Sequence, residues 1–331
     1  MTTIRSLQWH EGVQVAKNFP LEDLDEHLVT QGDLVWLDVR DPDASTMATL
    51  AEELSLDPLS VEDALSARER PKATIYPKHV FVTVTAATLV EDDDPGETQL
   101  RASQISAFVL PRGLVTVRRD DSFDMDAVVA HWNDNRHLLK HGISALLYGL
   151  LDQVVDGHFE AVTRLDDDLE ELEDQLFETS SLNHDMQRNT FRFRKDLVKL
   201  RRIVLPMREV VNTVRRLSDG INARSNEMER YYEDLYDHVL RVSEWTESLR
   251  DMISSIFETN LSLQDARLNT VMKKLAGWGA VIAVPTAVTG WFGQNIPYPG
   301  FASWLGLVQA AAIIFLGTVG LYLYLRRKDW I

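Results

Sequence analysis

The chain reads as an α/β body, a long helical stalk and two C-terminal transmembrane helices. Three observations predict that order. Strand-like apolar runs are confined to the first 120 or so residues. No glycine or proline occurs between residues 221 and 276, 56 positions in a row. Two apolar stretches, 275–292 and 301–325, then flank the uncharged turn Phe292-Gly293-Gln294-Asn295-Ile296-Pro297-Tyr298-Pro299-Gly300. The corresponding partition gives an α/β part at 1–125 and a helical hairpin packing on the stalk at 126–220. The stalk and first span follow at 221–292, an outer loop at 293–300, the second span at 301–325 and a basic tail at 326–331.

Strands are expected at 34–39, 79–90, 103–110 and 113–118, where apolar residues alternate or run on. Helical patterns lie between them near 21–30, 45–54 and 58–67. The acidic Glu91-Asp92-Asp93-Asp94-Pro95-Gly96 reads as the turn of a hairpin. From about residue 126 the strand signals stop, and helices are expected at 143–178 and 185–217, separated by Thr179-Ser180-Ser181-Leu182-Asn183. Seven acids in the nine positions from Asp166 to Asp174 form a solvated face, because Leu165, Leu169, Leu172 and Leu176 supply the apolar stripe of the same helix. The unbroken pattern from residue 221 amounts to a rod of roughly 84 Å at about 1.5 Å per residue, running straight into the first membrane stretch.

That first stretch has 18 residues, near the minimum of the ~17–25 that a spanning helix needs, and the second is ample. Lys273 and Lys274 precede the first, Arg326, Arg327 and Lys328 follow the second, and no basic residue lies between 275 and 325. A basic collar on one side alone puts both termini in the cytoplasm and the turn outside. The N-terminus lacks the apolar core of a signal peptide, so the expected location is the cytoplasmic (inner) membrane. A net charge of −17 excludes a nucleic-acid partner, which needs a basic surface, and suits a chain that collects cations. With no cysteine, metal chemistry must use oxygen or imidazole ligands, which favours hard ions such as Mg²⁺. No phosphate-binding Gly-Lys motif, nucleophile elbow or His-Glu-x-x-His occurs, so neither an enzyme nor an organic substrate is expected.

Small and apolar residues mark one face at the end of the rod: Leu268, Met272, Leu275, Gly279, Ala283, Thr286, Gly290 and Gly293. Their spacing is that of a near-heptad seam. Tight helix packing is one reading, since small residues let membrane helices approach closely. A channel lining is the other, with an apolar constriction at Met272 and Leu275 that gates by dewetting. The seam ends in Gly293-Gln294-Asn295, amides and open backbone suited to the mouth of a pore. Pro285 interrupts the helix midway and frees a carbonyl near Val281.

Pro285-Thr286, Gly290, Gly293, Asn295 and the proline shortly after resemble the signature of CorA-type magnesium transporters. Leu59-Ser60-Val61-Glu62-Asp63 with Glu69-Arg70-Pro71-Lys72 is similar to a segment of that family's cytoplasmic domain. So are Tyr232-Glu233-Asp234-Leu235-Tyr236-Asp237-His238, Asn269 and Met272-Lys273, and the basic tail. The resemblance implies a funnel-shaped homopentamer in the bilayer, with the first membrane helix lining the pore and Gly293, Gln294 and Asn295 at its mouth. It further implies that Glu62, Asp63, Asp152 and Asp234 bind regulatory Mg²⁺ between subunits and close the ring. Glu258, on the stalk above the gate, reads either as a ring of acids there or as an ordinary stalk surface residue. Two departures bear on selectivity: Gln294 stands where the family usually has methionine, and residues 296–301 lack the usual outer acid. Transport of Mg²⁺, Co²⁺ or Ni²⁺ is the resulting expectation. Zn²⁺ transport of the ZntB type and a non-conducting membrane-anchored metal sensor are the alternatives.

Overall fold

The computed structural model describes residues 2–29, 32–67, 69–90, 100–178, 184–216, 226–294 and 297–331. Asn295, the acidic turn at 91–96 and the separator at 179–183 therefore lie outside the described residues. Two units are present, Met1–Ile253 and Ser254–Ile331.

The first unit is built on a seven-stranded sheet. Its strands are β1 (Thr3–His10), β2 (Val13–Lys17), β3 (Asp33–Arg40), β4 (Lys72–Ile75), β5 (Val80–Leu89), β6 (Leu100–Val109) and β7 (Gly113–Arg118). They lie in the order β2-β1-β3-β7-β6-β5-β4. Only β3 and β7 pair in parallel, from Val35 opposite Gly113 to Arg40 opposite Arg118. Alternate residues of β3 serve two cores, which is why the strand reads as an unbroken apolar run. Leu34 and Trp36 face the larger cluster, while Val35, Leu37 and Val39 face the other. The second cluster is closed by α1 (Leu24–Val29), α2 (Ala44–Glu53) and α3 (Pro58–Leu65). Asp43 and Asp57 cap α2 and α3 by accepting from the backbone N–H groups of Thr46 and Leu59.

On the opposite face pack α4 (Met125–Asp134), α5 (Arg136–Leu139), α6 (Ile143–Glu178), α7 (His184–Arg216) and the start of α8 (Asn226–Phe292). Trp132 is wedged between two strand tryptophans, 5.8 Å from Trp9 and 5.3 Å from Trp36 by ring centroid. Its indole N–H donates to the Leu146 carbonyl at 3.1 Å. Gly149 makes room for that ring, since a Cβ there would fall 2.5 Å from the indole nitrogen. Inside the sheet, Arg118 of β7 grips Asp38 of β3 through Nε and a terminal nitrogen at 2.9–3.2 Å. Both side chains are buried, and burial opposes the Arg118 charge while the hydrogen bonds to Asp38 raise its pKa overall.

Four strands match the sequence reading closely; β1, β2 and β4 were not anticipated. The inward positions Ser6 and Gln8 of β1 are polar, held by the Phe19 carbonyl and by Asp33. On β2 the side chains are almost all exposed, and β4 has only 4 residues. Both lie at sheet edges, where no second core imposes an apolar pattern.

The second unit holds the remainder of α8, a loop, and α9 (Trp304–Arg327). At about 1.5 Å per residue the 67 residues of α8 make a helix of roughly 100 Å. The second apolar helix starts at Trp304, three residues after the apolar stretch begins. Ser303 caps it by accepting from the Gly306 N–H. Gly300 and Ala302 before it adopt positive φ, +97° and +57°. Both helices are long and apolar enough to cross a membrane.

Candidate functional site

In the first unit, Asp152 and Asp156 are one turn apart on α6 and share a face. With His238 of α8 they bring three potential ligand atoms within 4.8 Å of one another. His131 of α4 stands 3.8 Å from the Asp152 carboxylate, and Asp234 lies 3.7 Å from the His238 ring on its own helix. Tyr148, a turn before Asp152, donates a hydrogen bond to it. Burial raises the Asp152 carboxyl above its ordinary range, and the neighbouring Asp156 adds to the rise. Asp156 is raised by burial as well. Burial, then the charge of Asp152, pushes the Tyr148 hydroxyl up. Burial leads all three shifts, and at Asp152 and Tyr148 the neighbouring carboxylates add to it. Oxygen and imidazole donors so arranged fit a divalent cation, which reverses the sign of the repulsion.

Of the four carboxylates named from the sequence, Asp152 belongs to this cluster and Asp234 borders it. Glu62 and Asp63 sit apart in role on α3. Glu62 is exposed, whereas Asp63 pairs with Lys72 Nζ at 2.8 Å, and the same ammonium reaches Glu69 at 2.9 Å. Burial works against the Lys72 charge, but these hydrogen bonds raise its pKa overall. Asp156, Tyr148 and His131 went unremarked in the sequence, and His238 figured only inside a motif. The i, i+4, i+8 spacing of Tyr148, Asp152 and Asp156 was the available signal.

In the second unit the two faces of α8 have different fates. Gly277, Val281, Val284 and Val288 turn inward. A Cβ on Gly277 would meet Ile331 at 2.9 Å, and one on Gly317 of α9 would meet Val284 at 3.1 Å. The seam lies about 180° around the helix from that line, at about 100° per residue. Every member of it, Leu268, Met272, Leu275, Gly279, Ala283, Thr286, Gly290 and Gly293, is exposed. At Gly279 and Gly290 an added Cβ would touch nothing within 4 Å. Gly277 and Gly317 thus hold the hairpin, whereas Gly279 and Gly290 of the seam face open space among the described residues. Thr286 and Thr289 hydroxyls donate to the carbonyls of Ile282 at 2.9 Å and Pro285 at 2.8 Å.

At the end of α8, Gly293 N–H still reaches Thr289 O at 2.9 Å and the Gln294 side chain is exposed. Tyr298 stacks edge-on against Phe292 at 5.1 Å and donates to the Phe292 carbonyl at 3.2 Å. Glu258, Asn269, Lys273, Lys274, Arg326, Arg327 and Lys328 are all exposed.

Residues 31–327 match the family model described as CorA-like Mg²⁺ transporter protein. The cobalt/magnesium transport protein CorA of Thermotoga maritima is 28% identical over 285 residues, covering 85% of this chain and 79% of that protein. Its namesake from Methanocaldococcus jannaschii is 24% identical over 315 residues, covering 93% and 95%. The complete structure of the latter organism's CorA magnesium transporter superposes with a TM-score of 0.79 at 22% identity, over 100% of both chains. A sheet-based body, a long helix and two apolar C-terminal helices are thus the shared architecture. With the family model matched from the third strand to the basic tail, the chain belongs to the CorA-like divalent cation transporter family.

Proposed function

We propose that the chain assembles as a homopentamer in the cytoplasmic membrane and conducts Mg²⁺, with Co²⁺ and Ni²⁺ as further cargo, through a pore lined by α8. The observation that carries this reading is the bare seam. Gly279, Ala283, Thr286 and Gly290 are small, exposed and opposite the hairpin contact, so copies of the same face can converge on an axis. Met272 and Leu275 then form its apolar constriction, and Gly293, Gln294 and Asn295 its outer mouth. Mg²⁺ gives up its waters reluctantly, and a ring of amides binds a hydrated ion without holding it as tightly as carboxylates would. Both termini and the basic collar face the cytoplasm under this reading.

Closure is assigned to the carboxylates of the first unit. Glu62, Asp63, Asp152 and Asp234 repel across subunit boundaries until a divalent ion bridges them, so high internal Mg²⁺ closes the ring and its loss releases it. The raised carboxyls at Asp152 and Asp156 support this, because a cation bound there would offset the cost of holding buried carboxylates ionised.

Purified protein in liposomes, with dyes for Mg²⁺, Zn²⁺ and internal pH, tests the proposal. Mg²⁺ entry is expected, and Asn295→Ala abolishes it while the oligomer still forms. Zn²⁺ entry with acidification would move the chain to zinc transport. No flux of either ion from intact oligomers, with internal-face Mg²⁺ removed, would leave a sensor.

A further inference from the structure

Beyond cation transport, the first unit holds a positively charged cavity. It lies between α7 and the end of the sheet formed by β4, β5 and β6, and its volume is about 780 Å³. Small-molecule sites commonly occupy about 300–1,000 Å³. Arg70, Lys199, Arg201, Arg202 and Arg250 line it, with Glu69 as the one carboxylate among the described lining residues. In a chain of net charge −17, five cations around one cavity run against the overall balance.

Part of that charge is already neutralised. Glu69 is engaged by Lys72 at 2.9 Å. Arg201 pairs with Glu247 at 2.7 Å, and Arg250 with Glu247 at 3.2 Å and Asp251 at 2.9 Å. Three positive charges remain. Lys199 donates to the neutral Leu100 carbonyl. Arg70 and Arg202 are exposed and, among the described residues, neither is paired with a carboxylate. Leu197, Ile203 and Leu205 add an apolar wall. Pro206, inside α7 and also in the lining, has no N–H to offer the Arg202 carbonyl, which leaves an acceptor beside the cations.

We propose that this cavity binds a soluble polyphosphate anion, with a nucleoside polyphosphate as the ligand class. Two guanidinium forks and an ammonium match several anionic oxygens spread along a chain, and guanidinium bonds phosphate bidentately. The apolar wall and the free carbonyl suit an attached nucleoside. A polyphosphate stripped of Mg²⁺ carries more negative charge than its Mg²⁺ complex, so the cavity takes the free form in preference. Occupancy therefore reports scarcity of Mg²⁺.

Titration calorimetry on the detergent-solubilised full-length protein, with ATP, pyrophosphate, AMP and citrate, tests this. ATP and pyrophosphate saturate the site, while AMP and citrate bind at least about tenfold more weakly. Excess Mg²⁺ weakens ATP binding. Arg70→Ala with Arg202→Ala weakens ATP and pyrophosphate at least about tenfold, with oligomer size unchanged. Arg202→Lys alone keeps the charge but loses the fork, and gives a smaller loss of the same sign. The proposal is overturned by ATP binding that survives both sets of substitutions, by citrate matching pyrophosphate, or by no heat and no thermal shift with ATP. Because binding is read in detergent, its outcome is independent of whether the oligomer conducts ions.

Discussion

Replacing Asp156 by Asn should make the cation-free protein more stable and less responsive to divalent cations. Asp152 and Asp156 bring carboxylate oxygens within 4.8 Å of each other. Two unit charges at that separation repel by about 3.5 kcal/mol at an effective dielectric near 20 and about 0.9 kcal/mol at that of water. Asp156 is exposed as a whole residue although burial still raises its carboxyl, so the relevant figure falls between these, at about 2 kcal/mol. Each kcal/mol moves Tm by about 2–4 °C in a domain of this size, so Asp156→Asn should raise Tm in chelator by about 4–8 °C. Excess Mg²⁺ or Co²⁺ should lift the parent protein and lift the variant by less than half as much, because one of the three ligands has lost its charge. The assay is thermal unfolding of solubilised protein, followed by far-ultraviolet circular dichroism, with and without EDTA. A variant no more stable than its parent in EDTA, or one gaining the same increment from cation, would refute the reasoning.

Other expectations follow from the same geometry. Burial raises the Asp152 carboxyl above the ordinary aspartate value of 3.8, so the folded state holds that proton more tightly than the unfolded chain. The associated stability is present below 3.8 and is lost as pH rises through the raised value; Asp152→Asn removes the loss. Unfolding free energies of parent and variant in chelator, compared from about pH 4 to 7, should diverge with rising pH, and a constant difference would contradict this. Asp38→Ala leaves the buried Arg118 guanidinium with the exposed Asp121 as its remaining carboxylate and should cost about 3 kcal/mol in urea unfolding, whereas a loss under about 1 kcal/mol would show the pair to be dispensable. Gly306→Ala drives a Cβ into the Gly300 carbonyl and should lower both Tm and ion uptake. Gly290→Ala, with open space around it, should be no less stable than the parent.

Local patterns announced the elements whose surroundings are uniform. The strands β3, β5, β6 and β7 each place apolar residues in both cores, and Asp43, Asp57 and Ser303 stand at the helix starts they cap. β1 was hidden because Ser6 and Gln8 are buried by partners distant in sequence. The seam was legible as a spacing, but its being vacant was not. Only the pairing of α8 with α9 reveals that Gly277 and Gly317 make the hairpin contact while Gly279 and Gly290 do not. His238 meets Asp152 and Asp156 only because α6 and α8 pack together. No periodicity within either helix encodes that meeting.

The threonine hydroxyls on and beside the vacant seam, Thr286 and Thr289, bear on how such a protein is made. Thr286 and Thr289 satisfy themselves on backbone carbonyls one turn earlier, so this stripe exposes no hydroxyl donor in search of a partner. Hydrocarbon penalises unmet polar groups, and a hairpin whose seam has none can enter the bilayer as a single chain and wait there. Assembly then becomes a second, separable event governed by how many copies share the membrane, since close approach of small residues drives helix association in lipid. Newly synthesised subunits would accumulate harmlessly at low density and lock together only once enough neighbours had been inserted.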